Sequence, residues 1–152
     1  MEQQDILSMT LPELQAAVQE LGEPKFRAKQ IFNWLHQKRV TDFSEMTTLS
    51  LPFRERLASD FCINRLKIAK RLASSVDDTV KYLYELPDGN YVETVCMQYH
   101  HGTSLCISTQ VGCRMGCRFC ASAIAGFVRN LTPAEMLLQI YETERAQNCK
   151  IS

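Results

Sequence analysis

Four of the seven cysteines in this 152-residue sequence lie close together, in the stretch CISTQVGCRMGCRFCASAIAGFVRNL that starts at Cys106. Three of them, Cys113, Cys117 and Cys120, form the pattern Cys-x3-Cys-x2-Cys, and Cys106 stands seven residues before the first of these. Thiolates bind soft metal centres such as zinc and iron-sulfur clusters. A loop with three thiolates can hold one such centre and leave a coordination position without a protein ligand.

Two kinds of metal site fit this set of cysteines. A cubane 4Fe-4S cluster usually takes four cysteines, so three would leave one iron open to a small molecule. A structural zinc site would need Cys106 as its fourth ligand. The spacing favours the cluster, because structural zinc ligands tend to come as two close pairs and Cys106 lies in a predicted strand. Two other classes of protein remain as alternatives to one that holds a cluster. One is a non-catalytic RNA-binding module with a structural zinc, and the other is a protein-interaction fragment with unligated thiols.

The composition is typical of a globular protein of the cytoplasm. Hydrophobic residues make up 45% of the chain, which is enough for the core of one domain or two small ones. No run of about 18 apolar residues is present, and the N-terminal MEQQDILSMT lacks the basic and apolar regions of a signal peptide. We therefore expect a cytoplasmic protein without membrane association. In that reducing compartment, clustered cysteines indicate metal binding or catalysis rather than structural disulfides.

Positive charge is concentrated in residues 24–71, although the formal net charge of the chain is zero. This segment has eleven basic residues against four acids, a net charge of +7. The basic residues are Lys25, Arg27, Lys29, Lys38, Arg39, Arg54, Arg56, Arg65, Lys67, Lys70 and Arg71. Such a segment attracts a polyanion such as RNA, with binding that weakens in salt. Solvated helix faces explain the same charges equally well.

The N-terminal part of the sequence predicts three short helices. Thr10 to Glu13 form a capping box with proline in the first turn, and Pro24 and Pro52 open two further segments with apolar residues at helical spacing. The basic residues fall largely outside the apolar stripes. We therefore expect a small helical bundle with a basic exterior.

The second half predicts strands around the cysteine loop. Residues 79–98 alternate around the turn sequence PDGN and predict a β-hairpin. On its second strand, Glu93 shares a face with Tyr91, Val95 and Met97, so it is an acid on an otherwise apolar face or a charge that protects a sheet edge. TSLCISTQV predicts another strand that ends at Gly112, and a capping box at Thr132 starts a helix that continues to about Gln147.

The segment CISTQVGCRMGCRFCASAIAGFVRNLTPAE, together with FRAKQIFNWL and LPDGNYVETV, resembles the RlmN/Cfr family of RNA methyltransferases in the radical S-adenosylmethionine (SAM) superfamily. The resemblance runs from about residue 10 to residue 148 and covers only the N-terminal portion of such enzymes. It implies an α+β accessory domain, made of a small helical bundle and a β-hairpin, followed by the first βα unit of a partial (βα)6 radical SAM barrel. The expected boundaries are a helical RNA-binding domain at 1–75, a hairpin linker at 76–99 and the start of the barrel at 100–152.

The resemblance also implies roles for single residues. Cys113, Cys117 and Cys120 match the ligands of a 4Fe-4S cluster whose open iron binds SAM, and Phe119 matches an aromatic position beside the adenine of that cofactor. Cys106 matches a cysteine that releases a covalent protein–RNA intermediate by forming a disulfide with a second catalytic cysteine. Glu93 matches a proton acceptor, and an apolar hairpin face would disfavour its charged form and suit it to that task. Cys106 is the alternative base for removal of the proton from the adenine.

The implied reaction is methylation of C2 of an adenine in 23S rRNA and in tRNA. The resemblance implies an electron donor such as flavodoxin or ferredoxin, and a monomeric protein. The methyl-carrying cysteine of the family has no match in residues 1–152, so we expect a truncated chain without turnover.

Overall fold

The computed structural model describes residues 3–152 and divides the chain into two compact units, one of residues up to Asn64 and one of Arg65–Ser152. None of the helices in this part of the chain has the length and apolar character that a membrane span requires. The two units are built differently, the first from helices and the second around an antiparallel sheet.

The first unit contains the three predicted helices. They are α1 (Leu11–Glu20), α2 (Phe26–His36) and α3 (Leu51–Asp60). Strand β1 (Gln4–Asp5) precedes them in the sequence and β2 (Phe61–Cys62) follows them, and the two strands pair in parallel. The capping box of α1 is confirmed, because the Thr10 amide donates to Glu13 Oε2 at 2.7 Å. The core is formed by buried apolar side chains from all three helices, among them Leu14, Val18, Ile31, Leu35, Phe53 and Leu57.

The second unit begins with a four-stranded antiparallel sheet. Its strands are β3 (Lys67–Ala73), β4 (Val80–Glu85), β5 (Tyr91–Tyr99) and β6 (Gly102–Cys106), and they lie in sequence order across the sheet. The predicted hairpin is therefore confirmed as β4 and β5, with Leu83 opposite Glu93. Strand β3 lacks an alternating apolar pattern because it is exposed at every position, which is why the sequence did not predict it.

The strand predicted to end at Gly112 is broken in the structure. Strand β6 ends at Cys106, and β7 (Gln110–Gly112) leaves the sheet to pair with β8 (Phe127–Asn130). The short helix α4 (Ala121–Ile124) lies between β7 and β8, and α5 (Pro133–Gln147) follows β8. The prediction of one continuous strand was wrong, since the chain changes its pairing partner between Cys106 and Gln110.

Helix α5 packs on the sheet through a polar face. Its buried residues include Gln139 and Thr143, and Thr143 Oγ1 lies 2.7 Å from the hydroxyl of Tyr84. Burial raises the pKa of Tyr84 to about 12 even though this hydrogen bond acts in the opposite direction. Of its apolar residues, Ala134 and Leu138 are buried as well, whereas those used to predict the helix, Ile140 among them, are only half-buried. The periodicity thus predicted the helix but not the face that meets the sheet.

Candidate functional site: the cysteine loop and its cavity

The loop that carries three cysteines is closed at its base by two glycines. Gly112 and Gly126 both have φ of +72°, a conformation that disfavours side chains. The Cys113 amide donates to the carbonyl oxygen of Gly126 at 3.3 Å, and a Cβ added at Gly112 would overlap that oxygen. Residues 113–125 are therefore held as a loop whose two ends meet at a contact with no room for a side chain at Gly112.

All three loop cysteines are half-buried, and no disulfide forms among the described residues. The Met115 amide donates to Cys113 Sγ at 3.4 Å, and the Cys120 amide donates to the carbonyl of Cys117 at 3.2 Å. Within residues 3–152, no three thiol, imidazole or carboxylate side chains are grouped closely enough to hold a metal ion. The loop fits a three-thiolate centre in ligand type, number and spacing, but the thiols must converge further to bind it.

The outer part of the loop exposes large apolar side chains. Phe119 is 94% exposed, and Met115 and Ile124 are also exposed. Nothing in the second unit packs over the Phe119 ring, so its predicted place beside a cofactor stays a prediction.

Glu93 and Cys106 line the same cavity, whose volume is about 420 Å³. Cys106 lies opposite Val95 at the end of β6, and its side chain is exposed. The cavity wall continues to Gly112, directly before the first loop cysteine, and to Ala121, directly after the last. The structure thus brings Glu93 and Cys106 together and places both ends of the cysteine segment beside them.

The surroundings of Glu93 differ from the expected apolar ones. Its side chain is 54% exposed and forms an ion pair with Lys81, whose Nζ lies 3.1 Å from Oε1. The buried face of β5 is the opposite one, which carries Val92, Thr94 and Cys96. The prediction of an apolar site for Glu93 was therefore wrong for this chain, because α5 packs against the other face of the sheet.

An ion-pair cluster that the sequence analysis missed supports the loop. The Arg129 guanidinium contacts both carboxylate oxygens of Glu135 at 2.7 and 2.8 Å and Asp88 Oδ2 at 2.8 Å. Arg129 lies on β8, Asp88 in the hairpin turn and Glu135 in the first turn of α5. The cluster therefore ties the return strand of the loop to the sheet and to the helix. The signal in the sequence was the capping box at Thr132, which places Glu135 but not its arginine partner.

Burial and pairing act against each other in this cluster. Burial alone would raise the pKa of Glu135, but hydrogen bonds from Arg129 and Thr132 outweigh it and hold the pKa below 4.5. Asp88 behaves in the same way, with hydrogen bonds from Asn90 and Arg129 that lower its pKa in spite of burial. The hydrogen bond to Glu135 contributes most to raising the pKa of Arg129.

The basic residues of segment 24–71 are all at least partly exposed. Seven of them lie in the first unit and four, Arg65, Lys67, Lys70 and Arg71, lie in the second. The positive segment is thus divided between the two units.

Comparison with known proteins defines first the structural class. The chain superimposes on a radical SAM methyltransferase from Sphaerobacter thermophilus with a TM-score of 0.84 and 35% sequence identity. The match covers 95% of this chain and 42% of that one. It places the chain in the structural class of the radical SAM methyltransferases.

Within this structural class, the sequence comparisons point to one family. Residues 4–63 match the family described as ribosomal RNA large subunit methyltransferase N-terminal domain. The chain is 54% identical over 151 residues to a probable dual-specificity RNA methyltransferase RlmN from Lachnoclostridium phytofermentans, covering 97% of this chain and 42% of that protein. It is 51% identical over 152 residues to the RlmN protein described in the same words from Alkaliphilus oremlandii, covering all of this chain and 44% of that protein. The predicted resemblance is confirmed: the chain matches the N-terminal portion of the RlmN family and spans under half the length of these relatives.

Proposed function

We propose that the chain is the N-terminal part of a radical SAM RNA methyltransferase that methylates C2 of adenine in 23S rRNA and tRNA. The observation that carries the proposal is the glycine-closed loop with Cys113, Cys117 and Cys120, which borders the cavity shared by Glu93 and Cys106. The similarity to RlmN proteins supports the choice of RNA as substrate. We assign the cysteine loop and α5 to the first βα unit of a radical SAM barrel.

The three loop cysteines would hold a 4Fe-4S cluster, and Phe119 would lie beside SAM bound at the open iron. When bound, cluster and cofactor supply the one-electron chemistry that an unactivated aromatic carbon requires. The role of the chain is to present three thiolates and leave the fourth position without a ligand. Gly112 and Gly126 keep the ends of the loop together, and the exposed Phe119 ring is available to cover a bound purine.

Glu93 would accept a proton from the adenine ring, and Cys106 would release the product from a covalent intermediate by forming a disulfide with a second cysteine. Their place at one cavity supports the assignment, because both groups would act on the same bound base. The ion pair with Lys81, whose Nζ lies 3.1 Å from Oε1 of Glu93, helps to orient this carboxylate at the cavity.

RNA is the proposed macromolecular partner, and the exposed basic residues would contact its phosphates. A flavodoxin or ferredoxin would supply the electron. We expect a monomeric cytoplasmic enzyme, and no turnover by residues 1–152 alone.

The proposal is tested by Cys106→Ala in the whole enzyme that it implies. A protein–RNA adduct should accumulate while the iron content stays unchanged, because the variant lacks the thiol that releases the product. Cys149→Ala is the matched control and should turn over normally, since Cys149 lies outside both the loop and the cavity. Loss of iron in Cys106→Ala would place Cys106 among the metal ligands and favour a four-ligand metal site instead.

A further inference from the structure

Gln139 lies in the middle of α5, is fully buried, and uses all four hydrogen-bonding positions of its amide group. Its Oε1 accepts from Thr94 Oγ1 at 2.8 Å and from the Ser108 amide at 2.9 Å. Its Nε2 donates to the carbonyl of Ser108 at 2.8 Å and to that of Glu135 at 3.3 Å. A buried amide with four partners fixes the groups around it, since each bond broken would leave a polar group unsatisfied.

The main-chain amide and carbonyl of Ser108 both form hydrogen bonds with the Gln139 side chain, in place of the bonds that a neighbouring strand would supply. Ser108 lies in the break between β6, which ends at Cys106, and β7, which begins at Gln110. Its own hydroxyl donates to the carbonyl of Glu93 at 2.6 Å. The break is therefore held to helix α5 by Gln139 and to strand β5 by Ser108.

These contacts connect both residues of the cavity to one amide group. Thr94 is adjacent to Glu93, and Ser108 is two residues from Cys106. We propose that Gln139 is a positioning residue, which holds Glu93 and Cys106 at the same cavity by fixing the main chain at Ser108 and the side chain of Thr94. The catalytic roles of Glu93 and Cys106 rest on the proposed function, but their positioning by Gln139 does not.

The test compares Gln139→Met with Thr143→Val in this chain. Methionine has nearly the same length but offers Ser108 neither a donor nor an acceptor for a strong hydrogen bond. Thr143 is equally buried on the same helix, and its hydroxyl contacts Tyr84, away from Ser108. Both variants remove a buried polar group from α5, whereas only Gln139→Met removes the hydrogen bonds to Ser108.

Two site-resolved measurements report the result. Hydrogen exchange gives the protection of the Ser108 amide, and peptide mass spectrometry gives the rate at which iodoacetamide alkylates Cys106 relative to Cys149. In Gln139→Met we expect Ser108 exchange to rise at least about tenfold, as for loss of a buried hydrogen bond, and Cys106 reactivity to change. In Thr143→Val both should match the parent chain.

Gln139→Glu serves as a second variant if the methionine variant does not fold. It keeps the two acceptor bonds and loses the two donor bonds, so Ser108 should retain part of its protection while Cys106 reactivity moves in the same direction as in Gln139→Met. An unchanged Ser108 amide in Gln139→Met, unchanged Cys106 reactivity in both Gln139 variants, or an equal change in Thr143→Val would overturn the proposal. Neither measurement needs iron or RNA, so a failure of the positioning proposal can be distinguished from a failure of the proposed function.

Discussion

Replacement of Arg129 by glutamine should loosen the return strand of the cysteine loop. The substitution keeps a polar side chain but removes the guanidinium that binds Glu135 and Asp88. Removing one partner of a buried ion pair costs about 3–5 kcal/mol, and a hydrogen bond to a charged group is worth about 1.5–3 kcal/mol. The Arg129 side chain is 30% exposed, and Glu135 keeps the Thr132 amide at 2.8 Å, so both features reduce the loss.

We therefore expect Arg129→Gln to lower the free energy of opening of this region by about 2–3 kcal/mol, or about 30- to 150-fold in the opening constant. Native-state hydrogen exchange of peptides from β8 and α5 measures this value within the second unit alone. Lys81→Gln is the control, because it removes a positive charge from a pair whose members are 42% and 54% exposed. Such a pair contributes about 0–1 kcal/mol. Equal effects of the two substitutions would refute the reasoning.

Three further predictions follow from the same contacts. Gly112→Ala should prevent closure of the loop base and reduce metal uptake, measured as iron bound per chain. The control Gly89→Ala also places alanine at a positive φ, but the turn has open space around it, so this variant should bind iron normally. Because the pKa of Glu135 is lowered on folding, its stabilising effect should be complete above pH 4.5 and be lost as the pH falls through the lower folded value. Urea unfolding between pH 3 and 6 should therefore show that the free energy of unfolding depends less on pH in Arg129→Gln than in the parent chain. Replacing Lys25, Arg27 and Lys29 together by glutamine should weaken binding to an RNA hairpin and reduce its salt slope by up to about 3, and unchanged binding with unchanged circular dichroism would contradict this.

The elements that the sequence predicted well are those with local signals. The capping boxes at Thr10 and Thr132 and the prolines near helix starts set the positions of the helices, and the PDGN turn defined the hairpin. Strand β3 carried no such signal because all its residues are exposed. The break after Cys106 is hydrogen-bonded at Ser108 to Gln139, which lies 31 residues further along the chain, and no local pattern reveals this contact.

The candidate site shows the same division. The spacing of Cys113, Cys117 and Cys120 predicts a metal-binding loop, which stays a prediction, and strand parity placed Glu93 on the observed strand face. Parity could not tell which face α5 covers, so Glu93 was expected among apolar neighbours and lies instead beside Lys81. The ion pairs of Arg129 join residues up to 41 positions apart and follow only from the folded chain.

The central claim is that three cysteines of this chain hold an iron-sulfur cluster, and anaerobic reconstitution with iron and sulfide tests it most directly. We predict broad absorbance near about 400 nm, as for other cubane clusters, which disappears when Cys113, Cys117 or Cys120 is replaced by alanine. Cys106→Ala and Cys149→Ala should retain it, because neither residue lies in the loop. A chain that holds one zinc ion tightly and takes up no cluster, or that loses iron on replacement of Cys106, would contradict the claim.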